Sequence, residues 1–166
     1  MGGSLGAKTI NEAMAAGLET IAGKDFQLIW QTGKTTADVF VAKGKPYSNV
    51  WVNDFITEME KAYAAADVVV SRAGAMAVAE LCVVKKPVVF VPFPFAAEDH
   101  QTVNAKHLVD KGAAMMVKDN EAKDKLMNTV LSLMDDENKM QELQSNIAKL
   151  AVTNADERIA EEITTP

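Results

Sequence analysis

The 166-residue sequence contains one cysteine, Cys82, which excludes an internal disulfide and a metal site built from cysteines. Cys82 lies among Ala79, Leu81 and Val83 in an apolar helical stretch, where a thiol acts as a small core residue rather than a nucleophile. Dense lysine and arginine clusters are also lacking. The richest basic stretch spreads Lys34, Lys43 and Lys45 over a dozen positions and reads as a solvated face. With a net charge of −6, this argues against a nucleic-acid partner, whose phosphates are gripped by clustered cations. The first residues carry no basic region followed by an apolar core, so no signal peptide is read. Nor is there an uncharged apolar run of about eighteen residues, the length needed to span a bilayer. A reducing, cytoplasmic setting is the expectation.

What is present is an alternation. Apolar residues make up 48% and charged residues 24% of the chain, the balance of one soluble domain with a single substantial core. Short runs rich in valine, isoleucine and phenylalanine at 26–32, 49–52, 67–71, 87–92 and 113–117 read as strands. Three of them are nearly continuous in apolar character, as strands covered on both faces by helices must be. Between them, helical periodicity predicts helices over 7–22, 35–43, 57–66, 75–84, 99–111 and 121–134. A charged helix over 137–163 follows, with a break expected near Thr153 and Asn154. The order implies an α/β fold: a doubly wound, mainly parallel sheet with right-handed crossovers. Gly23, Gly33, Gly44 and Gly112 punctuate element ends. Trp30 and Trp51 fall inside strands and are expected in the core.

The chain opens on a glycine turn, Gly2-Gly3-Ser4-Leu5-Gly6-Ala7, that leads directly into a helix. In a doubly wound domain such a turn follows the first strand, usually a central one. The expectation is therefore that the first strand is missing and the chain derives from a longer polypeptide.

Four segments could carry chemistry. The glycine turn lets backbone approach a ligand, with the free amides of a helix start favouring a phosphate and Ser4 adding a hydroxyl. The alternative is a tight turn capped by Ser4. The second segment, Ser71-Arg72-Ala73-Gly74-Ala75-Met76-Ala77-Val78-Ala79-Glu80-Leu81, opens a helix at the carboxyl end of a strand, where open α/β sheets bind ligands. Gly74 and Ala75 leave that helix start open, and Glu80 can accept hydrogen bonds from a ribose diol. Equally, Arg72 could be a salt-bridge partner and Glu80 an ordinary surface residue.

The third segment runs from Pro92 to Ala105. His100, Gln101 and Asn104 stand at a helix start, with Asn104 one turn beyond His100. Amide and imidazole groups suit neutral sugar hydroxyls; helix capping by Asp99 is the alternative. His100 and His107 do not make a metal pair, being two turns apart without a third ligand. In the fourth, Asn53-Asp54-Phe55-Ile56-Thr57-Glu58-Met59, Phe55 and Ile56 could form a slot for a flat base; the alternative is that they are core residues.

In this order and spacing, over residues 2 to about 112, the motifs resemble the C-terminal domain of the MurG family. Those glycosyltransferases move N-acetylglucosamine from UDP-N-acetylglucosamine to undecaprenyl-diphospho-muramoyl-pentapeptide in bacterial peptidoglycan synthesis. The resemblance implies that residues 1–166 form one UDP-sugar donor-binding domain, the Rossmann-like half of a GT-B enzyme. It implies that Ser4 meets the diphosphate, that the helix start at Ala75, Met76 and Ala77 faces the phosphates, and that Gly3, Arg72, Gly74, Val78 and Ala79 belong to the same nucleotide-sugar site. Ile56, with Phe55 beside it, would meet the uracil, and Glu80 the ribose hydroxyls. Gln101, with His100 or Asn104, would bind the N-acetylglucosamine ring. Ala77 stands where members often carry threonine, and His100 where another glutamine is common.

The resemblance further implies an inverting transfer with no cofactor and no metal for donor binding. No carboxylate pair or D-x-D sequence suited to a magnesium ion appears at a strand end. The general base and lipid-acceptor surface would belong to an N-terminal domain, the expected partner. No catalytic residue is then expected here, and the chain alone is expected to bind donor without transferring sugar. The full-length protein would be peripheral on the inner face of the cell membrane. Two other readings share the architecture: half of a UDP-N-acetylglucosamine 2-epimerase, or a natural non-catalytic donor-binding subunit of a split glycosyltransferase. A generic flavodoxin-like module is a further one.

Overall fold

The computed structural model describes residues 7–164. The chain runs α1 (Lys8–Ala16), α2 (Leu18–Ala22), β1 (Leu28–Gln31), α3 (Ala37–Gly44), β2 (Val50–Asn53) and α4 (Met59–Ala65). It continues through β3 (Val69–Ser71), α5 (Ala75–Val84), β4 (Val88–Phe90), α6 (His100–Val109) and β5 (Met115–Met116). Three helices close it: α7 (Ala122–Met134), α8 (Glu137–Ala148) and α9 (Ala155–Thr164). Strands and helices alternate as expected, and all the described ladders are parallel.

Residues alternate across the strands, and this puts core on both faces. In and beyond β4, Val88, Val89, Phe90 and Val91 are all fully buried. Val89 and Val91 point into one cluster with Ile10, Met14, Trp30, Phe40, Leu126 and Leu143. Val88 and Phe90 point into the other, with Tyr63, Leu81, Leu108 and Ile147. A strand flanked this way has no polar face, which is why its sequence reads as an unbroken apolar run. Cys82 is in the second cluster, and burial pushes its thiol above the ordinary range.

The parallel ladders form two blocks among the described residues, β1-β2 and β3-β4-β5. A cavity of about 430 Å³ separates them, lined by residues 25–31 and 65–70 and floored by Ile10, Met14 and Met127. The glycine turn, with Gly3 and Ser4, lies outside the described residues.

Two expectations need correction. Trp51 is not core: it is 51% exposed on β2, which pairs only with β1 among the described residues, whereas Trp30 is buried at 3%. The single helix expected over 7–22 is two, divided at Gly17, where a β-carbon would lie 2.2 Å from the Met127 Cε. The last long helix breaks over 149–154, a gap that includes Thr153 and Asn154 as expected. Gly44 packs α3 onto β2, since a β-carbon there would meet Val52 Cγ1 at 2.8 Å. No helix among the described residues is long and apolar enough to cross a membrane.

Candidate functional site

Parallel strands bring all their carboxyl ends to one edge, and the loops leaving them carry the candidate residues. The β3–α5 loop is the shortest. Ser71 is buried and donates its hydroxyl to Arg72 O at 2.9 Å. Ala73 is fully buried, Gly74 caps α5 in extended geometry (φ −63°, ψ 148°), and the helix begins at Ala75. The Val78 amide donates to Gly74 O at 2.9 Å, the bond that closes the first turn. The preceding amides of Ala75, Met76 and Ala77 have no carbonyl within the helix to bond. A β-carbon at Gly74 would meet nothing within 4 Å, so the space before these amides is open. Met76 is 84% exposed at its rim, Ala75 and Ala79 are exposed, and Ala77 and Val78 are half-buried.

Helix α6 pins this loop to the next. Gln101 Oε1 accepts from the amides of Ala73 (3.2 Å) and Phe93 (3.0 Å), and Asn104 Nδ2 donates to Ala73 O at 3.0 Å. These side chains therefore brace the β3–α5 and β4–α6 loops. His100 is exposed, with Nδ1 2.7 Å from Ala97 O. Just ahead of it, Glu98 and Asp99 both adopt left-handed backbone (φ 51° and 52°). Asp99 does not cap α6 with its side chain; its Oδ1 accepts from the Thr102 hydroxyl at 2.6 Å.

Arg72 is a salt-bridge partner. Its Nη1 donates to Val91 O at 2.9 Å and Pro92 O at 3.1 Å, and its guanidinium stacks 5.5 Å from the Phe93 ring. The same nitrogen lies 2.5 Å from Asp119 Oδ1, with both side chains largely buried. The second oxygen of Asp119 accepts from the Thr9 hydroxyl, in the first turn of α1, at 3.0 Å. Asn11, 2% exposed, anchors the same helix on β1: it donates to Thr32 O at 2.7 Å and accepts from Trp30 Nε1 at 3.0 Å. The starts of α1 and α5 are thus held on one side of the molecule.

Glu80 stands one and a half turns into α5, exposed, with Oε2 accepting from the Tyr63 hydroxyl at 3.0 Å. Tyr63 is 5% exposed; burial, then the hydrogen bond and the charge of Glu80, raise its phenol well above the ordinary tyrosine value. Across the cavity, the loop after β2 presents Phe55, 42% exposed, while Ile56 is buried and its amide donates to Gln31 Oε1 at 3.2 Å. The aromatic side chain is the one offered to solvent there. Tyr63, Asp119 and Thr9 are the members the motifs did not reveal. Asp119 carried a usable signal, since it follows the strand ending at Met116 and so belongs to the same edge.

Comparison with known proteins gives concordant results. Residues 1–161 match the family described as Glycosyltransferase family 28 C-terminal domain. A Bacteroides thetaiotaomicron protein named UDP-N-acetylglucosamine--N-acetylmuramyl-(pentapeptide) pyrophosphoryl-undecaprenol N-acetylglucosamine transferase is 52% identical over 98% of this chain. A Porphyromonas gingivalis protein of the same name is 46% identical over 98%. The chain spans about half the length of these relatives, 45% and 44% respectively. The solved structure of Acinetobacter baumannii MurG superposes with a TM-score of 0.83 at 32% identity, over 98% of this chain and 48% of that one.

Proposed function

The chain belongs to the glycosyltransferase family 28 C-terminal domain family, and on that premise we propose that it is the donor half of a hexosyltransferase. It binds UDP-N-acetylglucosamine, whose sugar passes to a lipid-linked muramoyl-pentapeptide in peptidoglycan synthesis. One observation carries the reading: two helix starts share an edge, tied through Asp119, with an exposed carboxylate further along the second.

The chemistry follows from that edge. As the acceptor hydroxyl attacks the anomeric carbon, the leaving diphosphate gathers negative charge that must be stabilised. Each helix start contributes ~0.3–2 kcal/mol, and each amide bonded to a charged oxygen about 1.5–3 kcal/mol. Such groups substitute for a divalent ion in donor binding. Glu80, aligned by Tyr63, accepts from the ribose hydroxyls, and Gln101 and Asn104 meet the sugar ring. Phe55 supplies a flat contact for the base. The general base and the acceptor surface come from a second domain, which seats the full-length enzyme on the inner face of the membrane. This chain alone binds donor and does not turn it over, because loss of a general base costs roughly 10²–10⁴-fold and loss of acceptor positioning adds to it.

Calorimetric titration with UDP-N-acetylglucosamine, UDP-glucose and a GDP-sugar, with and without EDTA, tests this. UDP compounds should bind in either buffer, the N-acetylglucosamine form most tightly, and Glu80→Ala should weaken all of them by ~1–3 kcal/mol. Equal affinity for the GDP-sugar, or an unchanged Glu80→Ala variant, would contradict the assignment.

A further inference from the structure

We propose that Asp119 is a positioning residue for the diphosphate, setting the distance between the two helix starts without touching the ligand. The inference rests on the donor-binding reading and adds to it a residue outside all four motifs.

Asp119 lies in the turn between β5 and α7, and its two carboxylate oxygens face different partners. One accepts from Thr9, at 3.0 Å, in the first turn of α1. The other pairs with Arg72, two residues ahead of the Gly74 cap of α5. The side chains of Arg72 and Asp119 are 13% and 17% exposed. An ion pair so shielded from water holds its geometry far better than a surface pair does. Arg72 keeps its place through Val91 O, Pro92 O and the Phe93 ring even without Asp119. Among the described residues, Asp119 provides a hydrogen-bonded link from that cluster to α1. Each helix start has its own anchors: Asn11 holds α1 on β1, and Gln101 and Asn104 hold the α5 loop. Core packing also holds α1, with Ile10 and Met14 in one cluster with Val89 and Val91, and the carboxylate adds a polar tie between the two starts. A diphosphate spanning both starts needs their separation kept, since an oxygen displaced by a fraction of an ångström loses one set of amides.

Asp119 also occupies the charge of Arg72. Removing the carboxylate therefore leaves a cation beside the proposed diphosphate site, so simple electrostatics predicts tighter anion binding while the positioning role predicts weaker. The two effects oppose, which makes the sign of the result decisive.

The experiment measures UDP and uridine affinities by NMR titration for the 166-residue chain and its Asp119→Asn, Thr9→Val and Thr9→Ser variants. Asp119→Asn should weaken UDP by about tenfold, as loss of one or two charged hydrogen bonds allows, and leave uridine unchanged. Thr9→Val, which keeps the side-chain shape and the Arg72 pair, should weaken UDP by a few-fold, and Thr9→Ser should restore it. A parallel loss of UDP and uridine in both variants would mark a general structural role and overturn the proposal. So would unchanged or tighter UDP binding by Asp119→Asn or Thr9→Val. If the unaltered chain fails to bind UDP, the donor-binding reading itself falls, and this inference with it.

Discussion

The Tyr63 hydroxyl donates to Glu80 Oε2 at 3.0 Å across 17 residues of sequence, joining the buried face of α4 to the exposed face of α5. A long carboxylate on a helix surface samples several rotamers, and ordering it on binding costs free energy. The phenol, itself held in the core at 5% exposure, keeps one oxygen of that carboxylate in place.

Removing that hydroxyl should therefore be felt in binding. Tyr63→Phe keeps the ring in the core and loses one charge-assisted hydrogen bond, worth about 1.5–3 kcal/mol in a buried setting and less where the carboxylate meets water. The UDP dissociation constant should rise by about three- to tenfold, and the effect should vanish in a Glu80→Ala background. A double-mutant cycle by calorimetry checks the coupling; additive losses would mean that the two residues act separately.

Alkaline pH should act through the same pair. Burial, together with the Glu80 carboxylate, raises the phenol of Tyr63 above the ordinary tyrosine range. Up to about pH 10 both folded and unfolded chains keep this proton, and its contribution to stability is fully present. Above that, the unfolded chain releases it first and so binds fewer protons, and stability falls as pH rises toward the raised value. Melting temperatures between about pH 9 and about pH 12 should drop more steeply for the unaltered chain than for Tyr63→Phe. Parallel curves would show that this phenol does not contribute.

Gly74 offers a separation of fold from binding. Its backbone (φ −63°) suits any residue, and a β-carbon there meets nothing within 4 Å. Gly74→Ala should fold at least as stably, with a gain of up to about 1 kcal/mol from a stiffer unfolded chain. Gly74→Leu should also fold, yet it fills the space before the amides of α5 and should weaken UDP at least tenfold, a loss of about 1.4 kcal/mol. Thermal melts beside calorimetry would read both. A Gly74→Leu variant that binds UDP normally would show that the diphosphate lies elsewhere.

The elements themselves were legible in the sequence. Helix α5 begins and ends at the expected residues, and the continuous apolar run around β4 became a strand buried on both faces. Such signals are local: an apolar run or a helical period depends on neighbours a few positions away. The loops at the strand ends were also legible, because glycines and prolines there mark where the chain turns.

Side-chain partners were not. Gln101 and Asn104 read as sugar ligands, and the fold shows them as braces for the loops at Ala73 and Phe93. Trp51 read as core by its strand pattern, and became exposed because β2 pairs on one side alone among the described residues. Asp119 meets Arg72 across 47 positions and Thr9 across 110. No periodicity reaches that far. Which carboxylate meets which hydroxyl was decided when parallel winding gathered the carboxyl ends of β3, β4 and β5 beside the start of α1. The sequence by itself determined where strands and helices form and which loops connect them. The tertiary structure alone decided how far apart those loops are held, and by which residues.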